Sequence, residues 1–335
     1  MKLSDLGEHG LLARIRDRVP PSPPDVLVGI GDDAAVVTTA RNEQTVMTTD
    51  ALVEGIHFDR RWSTPADVGH KALAVNLSDL AAMGATPRWV LLSLVLPDSW
   101  PLADVEALLD GFVAAAERER VSLAGGNVTR TPGPLVVNVT AVGGVRPRRV
   151  LLRSTGRPGD AVYLSGTIGA AAAGLEMLRA GALDENDADA MDCVARHRRP
   201  EARVRLGRAL AQARAARATM DASDGLADAL RQIAAASGCG VVVDAAALPI
   251  APGARAWWTA RGTDPIAAAI AGGDDYELVF TVPRTGNGRL RNVRRQVADP
   301  PITRIATLTK DRALLVERAG ATSELSGGYE HFRIG

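Results

Sequence analysis

The chain has 335 residues, 46% of them apolar, with 39 basic residues balanced by 39 acidic ones. That length suits about two domains with packed cores, and the even charge excludes a global field for nucleic acid or an anionic membrane surface. The start of the chain is charged where a secretory signal needs an apolar core, and no window reaches the ~18 uninterrupted apolar residues of a membrane span. Cys193 and Cys239 form no metal or redox spacing, so the expectation is a soluble, cytoplasmic protein in a reducing compartment, with neither nucleic acid nor membrane as partner.

In chain order, residues 8–19 carry Leu11, Leu12, Ile15 and Val19 at helical spacing and end at Pro20–Pro24. Val26–Ile30 reads as a short strand, broken at Gly29-Ile30-Gly31-Asp32-Asp33, and Gln44–Thr49 as another that stops at Asp50. A helix is expected after Ser63 or Thr64, with Pro65 in its first position, running to Gly84. Val90–Leu96 is a strand. Pro101–Arg120 is an amphipathic helix with Leu102, Val105, Leu108, Leu109, Phe112 and Val113 on one face. Strands follow at Val121–Ala124 and Leu135–Val142.

Arg, Gly and Pro then concentrate between Arg146 and Asp160, which marks a boundary. Beyond it come a strand at Ala161–Ser165, an Ala-rich helix, a helix after Pro200 and another at Leu226–Ala236. Strands follow at Val241–Val243 and Glu277–Val282. Residues 284–300, rich in Arg, read as a solvated surface segment. The alternation implies a mixed α/β (α+β) chain of two α/β domains, 1–150 and 151–335.

The aspartates fall at strand ends or beside glycines: Gly31-Asp32-Asp33, Thr48-Thr49-Asp50, Asp221-Ala222-Ser223-Asp224-Gly225 and Gly273-Asp274-Asp275. Asp79 sits in the apolar run Leu73–Met83, where burial without a cation or donor is costly. Singly, each Asp-Gly pair is commonly a turn or a helix cap. Together they form a set of hard oxygen donors suited to Mg²⁺, which takes one or two carboxylates and fills its shell with phosphate and water. The P-loop, the dinucleotide fingerprint and the protein-kinase motifs are absent from the sequence, so a nucleotide here needs a cradle of metals and backbone amides. Ser165–Gly169 is a turn that serves either helix packing or an anion at a helix N-terminus.

The runs Gly29–Ala35, Thr48–Phe58, Lys71–Ala85, Asp221–Leu226, Gly272–Leu278 and Gly328–Phe332 resemble, in order, those of the thiamine-monophosphate kinase family. That family shares a superfamily with aminoimidazole-ribonucleotide synthetase and selenophosphate synthetase. The resemblance implies ATP as co-substrate, several Mg²⁺ ions, and phosphorylation of thiamine monophosphate to the diphosphate. It assigns Asp33, Thr48, Thr49, Asp50, Asp79, Asn127, Asp221 and Asp224 to the metals. Gly126, Asn127, Arg153 and Ser223 fall to ATP, and His57, Asp274 and Tyr329 to the acceptor. It further implies an N-terminal domain that binds ATP and Mg²⁺ and pairs into a barrel across a homodimer, and a C-terminal domain that completes the site. Two positions depart from the family pattern: Asn127 stands for a metal-binding Asp and Asp274 for a Glu. The acceptor phosphate is already ionised near neutral pH, so no general base and no phospho-enzyme are expected. The alternatives are another ATP-using member of the superfamily with a different small acceptor, or a catalytically impaired nucleotide-binding relative.

Overall fold

A computed structural model describes residues 3–31 and 34–329. The chain divides into two compact units, Met1–Leu80 with Ala85–Pro147, and Ala81–Gly84 with Arg148–Gly335.

The first unit holds α1 (Leu3–Arg18), β1 (Val26–Val28), β2 (Val36–Val37), β3 (Gln44–Val53), α2 (Pro65–Ala82), β4 (Thr86–Pro97), α3 (Leu102–Glu119), β5 (Ser122–Thr131) and β6 (Val136–Val145). Strands β1 and β2 form a two-stranded ribbon; the other strands form one sheet in the order β3-β6-β4-β5. Within it β6 runs antiparallel to both β3 and β4, while β4 and β5 are parallel. That parallel step is what α3 bridges, as a parallel pair requires a crossover. Leu92, Leu94 and Leu96 on β4 and Val137, Val139 and Ala141 on β6 are buried at every second position, the period of a pleated strand. Thr64 caps α2: its hydroxyl accepts from the Asp67 amide at 3.2 Å and the Asp67 carboxylate accepts from the Thr64 amide at 3.0 Å.

Strand β3 does not stop at Asp50 as the local sequence suggests but continues to Val53, because the ladder with β6 runs on to the pair Val53–Val136. Likewise β5 extends beyond Ala124 through Gly125, Gly126 and Asn127, paired to Leu91, Leu92 and Ser93. Long-range pairing, not residue type, keeps a Gly-Gly run in a strand.

The second unit holds β7 (Ala161–Ser165), α4 (Ala170–Ala180), α5 (Ala188–Arg198), α6 (Val204–Ala213), β8 (Thr219–Asp221), α7 (Leu226–Ser237), β9 (Gly240–Asp244), α8 (Pro252–Ala260), α9 (Pro265–Ala271), β10 (Leu278–Val282), α10 (Asn287–Gln296), β11 (Ile302–Thr309), β12 (Leu314–Arg318) and β13 (Ala321–Glu324). Its seven strands form one sheet in the order β13-β12-β9-β11-β7-β10-β8. Only β12 and β9 pair in parallel. Val162, Leu164, Met220, Leu226, Leu230, Ile233, Val241, Val243, Ile305 and Leu308 meet in its core. The Arg-rich stretch after Pro283 is largely solvated, as expected, but it also forms a helix, α10, anchored by buried Leu290 and Val293 one helical turn apart. Two apolar residues among exposed arginines suffice to bind that helix to the unit. Among the described residues no helix is long and apolar enough to cross a membrane.

Candidate functional site

In the first unit β3 and α2 bring three of the singled-out residues together. The Thr48 hydroxyl donates to the Asp79 carboxylate at 2.5 Å. The Asp50 amide donates to the Asn76 side-chain oxygen at 3.0 Å, and the buried Asn76 amide group in turn donates to the Ala72 carbonyl. Thr48 and Asp50 share the sheet face that meets α2, as their spacing of two demands. Thr49 therefore points to the other face, where its hydroxyl lies 3.1 Å from both the Val139 carbonyl and the Thr140 hydroxyl. Asp33 lies outside the described residues.

His57 follows in the turn after β3. Its Nδ1 accepts from the Val53 amide at 3.0 Å, which leaves the ring proton on Nε2. Buried Lys71 donates to the His57 carbonyl at 3.2 Å. Gly126 admits no side chain: a Cβ there would stand 1.9 Å from the Leu92 carbonyl oxygen. Gly126 and Asn127 line a small, partly open cleft with Leu12, Ile15, Ile30, Leu92, Leu94 and Leu123.

In the second unit three separate segments close on one another. The Asp274 amide donates to the Ser223 carbonyl at 2.7 Å, the Tyr276 amide to the Ala222 carbonyl at 3.1 Å and the Tyr329 amide to the Asp224 carbonyl at 3.0 Å. Asp221, Ser223, Asp224, Asp274 and Tyr329 thus belong to one constellation. Asp221 is buried on β8, while Asp274 and Tyr329 reach solvent. Arg153 lies apart from these contacts, with its guanidinium on the Gln232 side-chain oxygen.

Sequence reasoning assigned no role to the fully buried Glu277. Its carboxylate accepts from Arg203 Nε at 2.8 Å and Nη2 at 2.5 Å, from Arg196 Nη1 at 3.2 Å and from the Ser165 hydroxyl at 2.5 Å. The Arg203 guanidinium opposes burial by its hydrogen bonds to Glu277, which raise its pKa. The only sequence signal was an acidic residue just before the apolar run Leu278-Val279-Phe280.

The donors are carboxylates, hydroxyls and amide oxygens, which fit Mg²⁺ rather than a softer metal. Among the described residues no three His, Cys, Asp or Glu side chains already converge as a metal cage.

A fold of this kind, with aspartates set on the strand ends and turns of two mixed α/β units, matches the AIR synthase related N-terminal domain over residues 31–145 and the C-terminal domain over residues 157–312. The thiamine-monophosphate kinase of Escherichia coli strain K12 is 41% identical over 336 aligned positions, covering 97% of this chain and 98% of the relative. The crystal structure of thiamine-monophosphate kinase from Stenotrophomonas maltophilia superposes with a TM-score of 0.83 at 41% identity, covering 94% of this chain and 98% of that one. AaThiL complexed with AMPPCP and TMP superposes with a TM-score of 0.77 at 32% identity, over 99% of both chains. The chain belongs to the thiamine-monophosphate kinase family of AIR synthase related proteins.

Proposed function

We propose that this chain is a kinase that moves the γ-phosphoryl group of ATP onto the phosphate of thiamine monophosphate, releasing ADP and thiamine diphosphate. The observation that carries the reading is identity of 41% to a thiamine-monophosphate kinase along 97% of the chain. The complex of a relative with AMPPCP and TMP supports both substrates.

Donor and acceptor are both anionic, so the reaction needs charge neutralisation and alignment more than it needs a base. Mg²⁺, when bound, would supply that neutralisation. Asp33, Thr48, Thr49, Asp50, Asp79, Asn127, Asp221 and Asp224 are the residues proposed to hold it. The hydrogen bonds from Thr48 to Asp79 and from Asp50 to Asn76 support this by fixing three of these positions before substrate arrives. Gly126, Asn127, Arg153 and Ser223 are assigned to ATP. His57, Asp274 and Tyr329 are assigned to the acceptor, whose thiazolium carries a positive charge that a carboxylate at Asp274 complements. The acceptor phosphate attacks as the anion, so no side chain needs to take a proton and no residue becomes phosphorylated. The protein is proposed to act in the cytoplasm as a homodimer.

The deciding experiment is direct. Purified protein with ATP, Mg²⁺ and thiamine monophosphate should form thiamine diphosphate and ADP in equal amounts. Asp79→Asn should lower turnover on the order of 10²-fold, the scale of losing one preorganised electrostatic group. If ADP forms only with some other phosphate acceptor, the assignment of substrate is wrong; if Asp79→Asn keeps near-normal turnover, Asp79 is structural.

A further inference from the structure

Between α9 and β10 the chain turns through Gly272–Tyr276 with two non-glycine residues in left-handed backbone, Asp274 at φ 68° and Tyr276 at φ 51°. Such positions cost on the order of 1 kcal/mol each and persist only where the surroundings over-determine them. The surroundings here do so. The amides of Asp274 and Tyr276 are tied to the carbonyls of Ser223 and Ala222, and the next residue is Glu277, clamped by Arg203 and Arg196. Asp275 is drawn inward, where its carboxylate accepts from the Gly169 amide at 2.7 Å. The backbone therefore leaves the Asp274 side chain directed outward, 35% exposed.

Two side chains flank that carboxylate. The Tyr276 hydroxyl donates to Oδ1 at 3.1 Å. On the other side His197, in the last turn of α5 and 4% exposed, places Nδ1 3.7 Å from Oδ2. At 3.7 Å the imidazole stands beside the carboxylate without making a hydrogen bond to it, so it acts by its bulk and fixed position. Buried on α5, it gives the inner oxygen of the carboxylate a fixed neighbour.

We propose that His197 is a positioning residue of the acceptor site: together with the Tyr276 hydroxyl it holds the Asp274 carboxylate facing outward, toward an acceptor that carries a cationic or amino-bearing heterocycle. This rests on the assignment of Asp274 to the acceptor under the proposed function. A carboxylate held by a fixed imidazole on one oxygen and a fixed phenol on the other presents its remaining lone pairs in one direction. A flexible carboxylate would lose rotamer freedom on every binding event, at a cost comparable to a tenfold loss of affinity.

The test uses the full-length protein. In His197→Gln the KM for thiamine monophosphate should rise about tenfold, while kcat and the KM for ATP stay within about twofold. Combining His197→Gln with Asp274→Asn should be no worse than Asp274→Asn alone, because His197 acts only through that carboxylate. A parallel rise in both KM values, or additive losses in the double variant, would overturn the proposal in favour of a general packing role. An independent readout needs no turnover: the imidazole ¹⁵N resonances of His197 should move in Asp274→Asn relative to the parent, in the absence of substrates. Unmoved resonances overturn the coupling whatever the acceptor is. Moved resonances in a protein that never makes thiamine diphosphate would instead uphold the His197–Asp274 coupling and overturn the substrate assignment.

Discussion

Asp275 shows how a single residue can answer a question that its own neighbourhood in sequence leaves open. Its carboxylate accepts from the Gly169 amide at 2.7 Å and the Ala171 amide at 3.3 Å, at the first turn of α4. The turn Ser165–Gly169 could have served an outside anion; instead the chain supplies its own from 106 residues away, which no local pattern announces. Burial pushes the Asp275 carboxyl up from 3.8 to about 7, against the pull of those two amides, and the nearby charges of Glu277 and Asp274 add to the rise. A carboxyl whose folded pKa is raised holds its proton more tightly folded than unfolded. Its contribution to stability is therefore present below about pH 4 and is lost as pH climbs from 3.8 to about 7. Asp275→Asn keeps an acceptor oxygen for the two amides without the charge. Relative to the parent, this variant should gain stability steadily between pH 4 and pH 7 and hold a constant advantage above that window. Urea midpoints of both proteins across the range check it; a constant difference at every pH would mean that Asp275 does not change its protonation there.

At the scale of elements, α2 and α3 touch through two glycines. A Cβ on Gly69 would stand 2.0 Å from the Leu108 carbonyl oxygen, and one on Gly111 would stand 2.1 Å from the Ala66 carbonyl oxygen. Each glycine thus lets its helix meet the other's backbone. In an exposed helix Gly→Ala gains about 1 kcal/mol. Here the sign should reverse: Gly111→Ala must push two backbones apart, and overpacking of that kind costs about 1–3 kcal/mol or more. A lower urea midpoint with an unchanged slope is the expected result, and a gain in stability would show that the helices do not approach so closely. The sequence made α3 legible because its apolar face repeats at helical spacing, and it made the start of α2 legible through Thr64 and Pro65. It did not announce the glycine contact, since a helical glycine reads only as a weak spot. The ends of β3 and β5 were misjudged and α10 was missed for a related reason, because pairing to β6 and β4 and the burial of Leu290 and Val293 are decided by distant parts of the chain. In the candidate site, Asp50, Asp79 and the Asp221–Asp224 loop could be singled out because aspartates beside glycines and in apolar runs are chemically conspicuous. Glu277 with its two arginines, and His197 beside Asp274, could not, because partners that far apart in sequence leave no spacing to read.

At the scale of the whole molecule, the sheet of the first unit ends in two long edges. Strand β3 lies at one side and β5 at the other, and among the described residues no other strand pairs with their outer sides. An open ten-residue edge invites another chain, and closure into a barrel is one way to remove it. The register adds a chemical reason. Asp50 is level with Val139, Val139 with Leu92 and Leu92 with Gly126, so the metal-assigned Asp50 and the ATP-assigned Gly126 lie on one row across the sheet. Three strand spacings part them, about 14 Å. Thr49 lies one residue to one side of that row and Asn127 one residue to the other, on the face away from α2, so they are farther apart still. If both edges serve one nucleotide, a second copy must bring its β5 beside the first copy's β3. The protein should therefore run in light scattering at twice its 35.1 kDa mass. Met47, 70% exposed on β3, makes a clean probe, because a charge there meets solvent in the single chain and would meet the second copy if β3 is the joint. Met47→Arg should leave the unfolding midpoint of each chain close to its former value, shift the mass toward that of one chain, and lose turnover in proportion to the dimer lost. A parent protein that is monomeric at micromolar concentration yet fully active would show that Asp50 and Gly126 do not act on the same nucleotide.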